Sequence, residues 1–278
     1  MRNRVIGSIS ALVVILMVFS SAALAQQAGA RGNAPRGNAP APSVPHDPHD
    51  LTGVWLAGGG GGGAAAANAP APMTQWTRQP LPLTPAGLAK MNSNKSGKGP
   101  RAVMPAFGND PIGDANPPGI MRTLVYNRPF QIFNAGDQIV TLFEWGHFWR
   151  TFWMDGRKAP EDPDPRWYGY SVGHWEGDTL VVGTVGLDAR AWLDEWGTPF
   201  SEEAKVEERW RRPDHDTLEL TFTFTDPKYF TKPWTSDIRR YKLQGKKSPD
   251  GELLEVIFAP LDEQEFNRRI RNPAAGVK

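Results

Sequence analysis

Alternation of apolar and polar residues with a period of two, interrupted at short intervals by turn residues, constrains this chain more than any other feature of its sequence. From Leu218 to Thr225, Leu218, Leu220, Phe222 and Phe224 fall on one face and Glu219, Thr221, Thr223 and Thr225 on the other. That is the signature of a strand with one buried face. The runs Tyr170 to Trp175 and Thr179 to Val185 flank Glu176-Gly177-Asp178 and predict a hairpin with a three-residue turn. Further β-branched or aromatic runs are Gln131 to Asn134, Gln138 to Trp145, His147 to Met154, Val206 to Arg212, Asp237 to Leu243 and Leu253 to Phe258. No strand-helix-strand spacing interrupts them, so the pattern predicts an all-β domain of about nine or ten antiparallel strands, a closed or nearly closed β-barrel. Thr84 as N-cap with Pro85 at the first helical position predicts one short helix, and Asp262 to Arg271, acidic first and basic last, predicts another.

The domain begins late in the chain. Met1-Arg2-Asn3-Arg4, the apolar run Ala11 to Phe19 and Ala23-Leu24-Ala25 read as a signal peptide over residues 1–25, which predicts export to the periplasm or beyond. No later stretch has transmembrane length. Residues 26–50 are rich in Pro, Gly and Ala and repeat Arg-Gly-Asn-Ala-Pro, the composition of a disordered linker, and His46-Asp47-Pro48-His49-Asp50 reads as its solvated end. Residues 51–278 then form a single barrel domain, with a Gly- and Ala-rich loop at 58–72 that lacks the spacing of a phosphate-binding loop. Removal of Arg2 and Arg4 leaves 29 basic against 30 acidic residues. Such a balance speaks against nucleic acid as a partner. With no cysteine, disulfides, thiolate metal sites and cysteine nucleophiles are excluded.

Gly53-Val54-Trp55 at the start of an exported all-β domain resembles the Gly-x-Trp opening of calycins and implies a lipocalin-like barrel. A wider match covers Asn109 to Trp234. Asn109-Asp110-Pro111, Asp155-Gly156-Arg157, Gly169-Tyr170-Ser171-Val172-Gly173, Trp175-Glu176-Gly177-Asp178, Trp192-Leu193-Asp194, Glu208-Arg209, Asp226-Pro227 and Pro233-Trp234 look like a family of exported bacterial proteins of unknown function. The resemblance implies compartment and domain extent rather than chemistry, and many members carry cysteine where this chain has Asn116.

Seven of the eleven tryptophans lie between Trp145 and Trp196. Glu144, His147, Arg150, His174, Asp188 and Asp194 sit among them. Period two places Val140, Leu142 and Glu144 on one face, and Phe148, Arg150, Phe152 and Met154 on one face of the next strand. If both faces point inward, Glu144 and Arg150 need each other as a buried pair, either as a structural ion pair or as polar groups facing a ligand. His147 and His174 are candidate proton carriers or rim residues. No metal-ligand spacing is present, and no cofactor is expected. Asp188 and Asp194 flanking Trp192 are similar to paired glycosidase carboxylates beside an aromatic platform.

The excess of tryptophan favours a flat ligand. The primary reading is therefore a barrel that binds a small hydrophobic, aromatic or glycosidic molecule through Trp145, Trp149, Trp153, Trp175, Trp192 and Asp194. One alternative is a cofactor-independent lyase, hydratase or isomerase whose acid–base groups are Glu144, His147 and His174, with Arg150 as electrophilic stabiliser. A carbohydrate-active enzyme using the paired Asp residues is the other.

Overall fold

The period-two runs close on themselves. A computed structural model describes residues 44–58, 74–104, 107–245, 251–255, 264 and 268–269. Its strands are β1 (Gly53–Ala57), β2 (Phe130–Asn134), β3 (Gln138–Phe143), β4 (Trp149–Trp153), β5 (Tyr170–Glu176), β6 (Thr179–Val185), β7 (Lys205–Asp214), β8 (Thr217–Thr225), β9 (Trp234–Thr235) and β10 (Arg239–Leu243). Neighbours follow chain order from β1 to β8, and β10 pairs with both β1 and β8. The result is a closed barrel of nine strands, with the short β9 laid along the far end of β8. Closure matters because it removes the exposed edges an open sheet would carry.

One junction differs from the all-antiparallel expectation. β4 and β5 are parallel and share two register pairs only, Phe152 with Ser171 and Trp153 with Val172. Parallel neighbours require a crossover, supplied here by residues 154–169. The returning part of that crossover bonds to the segment after β6: Arg166 N–H donates to Gly186 O at 2.9 Å and Asp188 N–H to Arg166 O at 3.0 Å. The first half of β4 is thereby left without a ladder partner on that side.

Local signals explain most of the remaining elements. Helix α1 (Pro85–Ser93) starts as its sequence predicts, with Thr84 Oγ1 accepting from Gly87 N–H at 3.0 Å and Pro85 in the first turn. The β5–β6 turn has two residues rather than three, because Glu176 and Thr179 are themselves paired. Gly177, at φ 55°, takes its first place, the position where tight hairpins favour glycine. Helix α2 (Ile120–Val125) carries no strong sequence signal, and all six of its residues are buried. Residues 253–255 form no strand. The rest of that expected strand, most of the helix expected over 262–271, the segment 1–25 read as a signal peptide and nearly all of the Gly/Ala loop lie outside the described residues.

The inward faces are Trp55 from β1, Phe130 and Ile132 from β2, Phe152 from β4, Trp210 from β7, Leu220 and Phe222 from β8 and Tyr241 from β10, all buried. These rings meet edge to face: Phe130 lies 4.9 Å from Tyr241, and Phe222 4.9 Å from Trp76. Each fully buried aromatic contributes roughly 1.5–3 kcal/mol by removal from water. The segment His46 to Asp50 also belongs to this packing. His46 Nε2 is 3.1 Å from Arg212 O, the His49 ring stacks on Trp175 at 4.3 Å, and the Arg212 guanidinium binds Asp50 O while covering the Trp55 ring at 5.3 Å. The His-Asp-Pro-His-Asp segment is thus held against the barrel by its imidazoles, which find carbonyl and indole partners there, while Asp47 and His49 stay exposed to solvent.

Burial pushes the phenols of Tyr126, Tyr168 and Tyr241 above the ordinary tyrosine range. A folded-state pKa raised above the unfolded one means that the native protein holds these protons more tightly. The associated stability is complete below about pH 10 and is lost as pH rises through the folded values. Spectrophotometric titration should show these three phenols ionising only together with unfolding, and the Tm should fall steadily above about pH 10.

Candidate functional site

Arg150 and Phe152 share the inward face of β4, so Arg150 does need a buried partner, but that partner is not Glu144. The Arg150 guanidinium forms a bidentate pair with Glu208 of β7, with Nη1 to Oε1 at 3.0 Å and Nη2 to Oε2 closer still. Its Nε also donates to Ser171 Oγ of β5 at 3.1 Å, and its Nη2 to Thr184 Oγ1 of β6 at 2.7 Å. Four consecutive strands thus meet on one side chain, and both charges are buried. Desolvating such ions costs several kcal/mol each, which only multiple well-formed hydrogen bonds can offset. Glu144 misses this cluster because β3 ends at Phe143 and the chain turns into a helical conformation at Glu144. The inward face of β3 is Ile139, Thr141 and Phe143, one register away from Val140 and Leu142.

Above Arg150 the unpaired first half of β4 opens a cleft of ≈ 350 Å³. Arg150 and Ser171 form its floor, and Trp149, Trp153, Trp167 and Tyr170 are among its walls. Trp149 and Trp153 point outward from β4, each two residues from Thr151 and in phase with it, so the cleft faces the outside of the barrel. Three arginines stand over its rings. Arg157 lies 3.6 Å above Trp153, Arg190 lies 4.5 Å from Trp167 and Arg166 lies 6.0 Å from Tyr170. Arg157 holds the Asp155 carboxyl below its usual range through a forked hydrogen bond, and Arg190 does the same to Asp188. Among the described residues Arg166 has no such carboxylate, so the cleft retains a positive rim.

The other sequence candidates are dispersed. Glu144 is buried and its Oε2 accepts from Leu254 N–H at 3.1 Å. His147 stands exposed in a left-handed conformation at φ 51°, with Nε2 3.3 Å from Leu254 O. His174 points outward from β5 to Glu176 at 3.2 Å. His147 and His174 therefore lie at opposite ends of the β4–β5 pair. Trp175 is capped by His49, Trp145 packs on Tyr126 at 4.5 Å, and Trp192 is buried under Arg122 at 5.3 Å. Asp194 is fully buried, and its carboxylate accepts from Gln75 N–H, Trp196 N–H, Thr198 N–H, Thr198 Oγ1 and Thr74 Oγ1. It ties loops together and presents no free oxygen.

The residues not anticipated from sequence are Glu208, Arg166, Trp167, Tyr168 and Tyr170. Glu208 carries a readable signal: it shares the parity of Val206, Trp210 and Arg212 and therefore points inward. The aromatic run Trp167-Tyr168-Gly169-Tyr170 carries none, since only the crossover brings it beside β4. Among the described residues no three His, Asp or Glu side chains converge as metal ligands, and no helix is long and apolar enough to cross a membrane. The chain matches no family model, no curated protein and no solved structure.

Removing one member of a buried pair strands the other charge. Arg150→Met and Glu208→Leu should each destabilise the fold by about 3–5 kcal/mol, whereas the double variant should recover most of that loss. Urea denaturation of the three variants measures the coupling; additive losses would show that the two side chains act independently.

Proposed function

We propose that this protein is an exported, calycin-like β-barrel that binds a small, flat aromatic molecule by stacking in the cleft beside β4. The observation that carries the reading is Trp149. Its indole is 68 % exposed at the mouth of a cleft already walled by Trp153, Trp167 and Tyr170. A large ring left in water beside other rings is an unused apolar surface, and a planar ligand stacked on it would remove both faces from solvent. The cleft volume falls in the range of small-molecule sites. The positive rim at Arg166 favours ring systems that carry an acidic substituent.

Export is supported by the basic start, the apolar run and the Ala23-Leu24-Ala25 site, and the calycin likeness by Gly53-Val54-Trp55. In this reading the barrel interior acts as scaffold. Arg150 holds the cleft floor in place and is a positioning residue, with its guanidinium occupied by Glu208, Ser171 and Thr184.

Calorimetric titration with 2-naphthoate and with p-nitrophenyl glucoside tests the proposal. We expect saturable one-to-one binding of 2-naphthoate. Trp149→Ala should weaken it about tenfold, the equivalent of roughly 1.4 kcal/mol of lost stacking, and leave the Tm unchanged. Stronger binding of the glucoside would make the cleft a sugar site. Absence of saturable heat from either probe with folded protein, or affinity unaltered by Trp149→Ala, would overturn the reading.

A further inference from the structure

A second and larger cavity, ≈ 590 Å³, lies apart from the aromatic cleft. It is bounded by the segment after α1, the 3₁₀ turn Pro111–Asp114, α2 and the loop that carries Asp194. Ser96, Lys98, Asp110, Arg122, Tyr126 and Glu195 bring their polar groups to it. None of these residues carries a chemical signature in the sequence alone; the fold brings them together from four separate segments.

The hydrogen bonds around this cavity are unbalanced. Both acceptor groups are engaged. Asp110 takes the Arg122 fork at 2.7 and 2.5 Å and also Ile112 N–H at 3.1 Å. Glu195 takes Lys98 Nζ on one oxygen and Gln75 Nε2 at 3.2 Å on the other. Ser96 Oγ donates to Glu195 O. Donors remain. Arg122 is 3 % exposed and its Nε–H has no partner. The Tyr126 hydroxyl oxygen sits against the Arg122 guanidinium and accepts from it, which leaves its own O–H free to donate into the cavity. An unpaired buried N–H costs about 1–3 kcal/mol, so a ligand that supplies an acceptor recovers that amount on binding.

Charge narrows the class. Arg122 and Lys98 are cations, Asp110 and Glu195 are anions, and each cation is already bonded to one of the anions. An anionic ligand would bring an uncompensated charge into the cavity, whereas a neutral acceptor would not. The phenol of Tyr126 remains a donor, since burial, Glu195 and Asp110 raise its pKa against the opposing pull of Arg122.

We propose that this cavity binds a small uncharged molecule through a carbonyl oxygen, with Tyr126 O–H and Arg122 Nε–H as its hydrogen-bond donors. Ketones, lactones and amides share that chemistry. The same donors would polarise the carbonyl, so the site is suited to electrophilic activation as well as to binding.

Saturation-transfer NMR with δ-valerolactam, cyclohexanone and cyclohexanecarboxylate tests the proposal on the folded protein. We expect the lactam and the ketone to bind and the carboxylate not to. Tyr126→Phe, which keeps the ring packed on Trp145, should weaken lactam binding about fivefold or more. Gly113→Leu provides a second variant, because a Cβ at Gly113 meets open space at the cavity wall and the added side chain should abolish binding. Trp149→Ala should change nothing here, which separates this site from the aromatic cleft. Preference for the carboxylate, lactam binding insensitive to both variants, or no binding of either neutral probe would overturn the assignment.

Discussion

The Arg150–Glu208 pair is the interaction on which the rest of the barrel depends. The ladder between β4 and β5 is the weakest link in the closed sheet, with two register pairs where β6 and β7 share six. Backbone hydrogen bonds alone hold that seam poorly. Arg150 spans it from inside, reaching Ser171 on β5, Thr184 on β6 and Glu208 on β7. The side-chain network does the joining that the ladder does not, and burial strengthens each of its hydrogen bonds by lowering the local dielectric. The same burial makes the arrangement all-or-none, because every partner must be present for the charges to be tolerated.

The seam also generates the aromatic cleft. Where β4 lacks a neighbour the barrel wall is incomplete, and the returning crossover fills the gap with rings instead of backbone. Arginines cover those rings, and Asp155 and Asp188 orient two of them. Elsewhere, buried carboxylates act as knots for loops. Asp194 gathers donors from three loop residues and Thr74, and Asp226 takes Ser201 N–H and Oγ at 2.7 Å each as well as Lys228 N–H at 3.1 Å. These knots give long irregular segments a defined shape without regular structure, and the carbonyl-binding cavity is built from one of them.

Much of the fold was legible because it rests on local rules. β8 alternates without a break, Thr84-Pro85 starts a helix in the expected place, and Glu176-Gly177-Asp178 marks a hairpin. Errors arose where a local pattern was extended past its end. Counting period two through Glu144 assumed that the strand continued, but the backbone turns after Phe143 and the inward face is the other one. The candidate site was less legible. Trp149, Arg150 and Trp153 do meet at one cleft, yet the walls opposite them come from a crossover whose path no periodicity encodes.

Sequence alone determined that this chain forms many short strands with one buried face, joined by tight turns into an all-β domain, and that Arg150 shares a strand face with Phe148 and Phe152. Those properties follow from side-chain parity and turn chemistry, which act over a few residues. Tertiary structure alone decided which carboxylate would neutralise that arginine, that one strand pair would run parallel, and which side chains would share a cavity. Such choices depend on contacts between residues far apart in the chain, where burial and charge pairing are settled only when all the partners are in place.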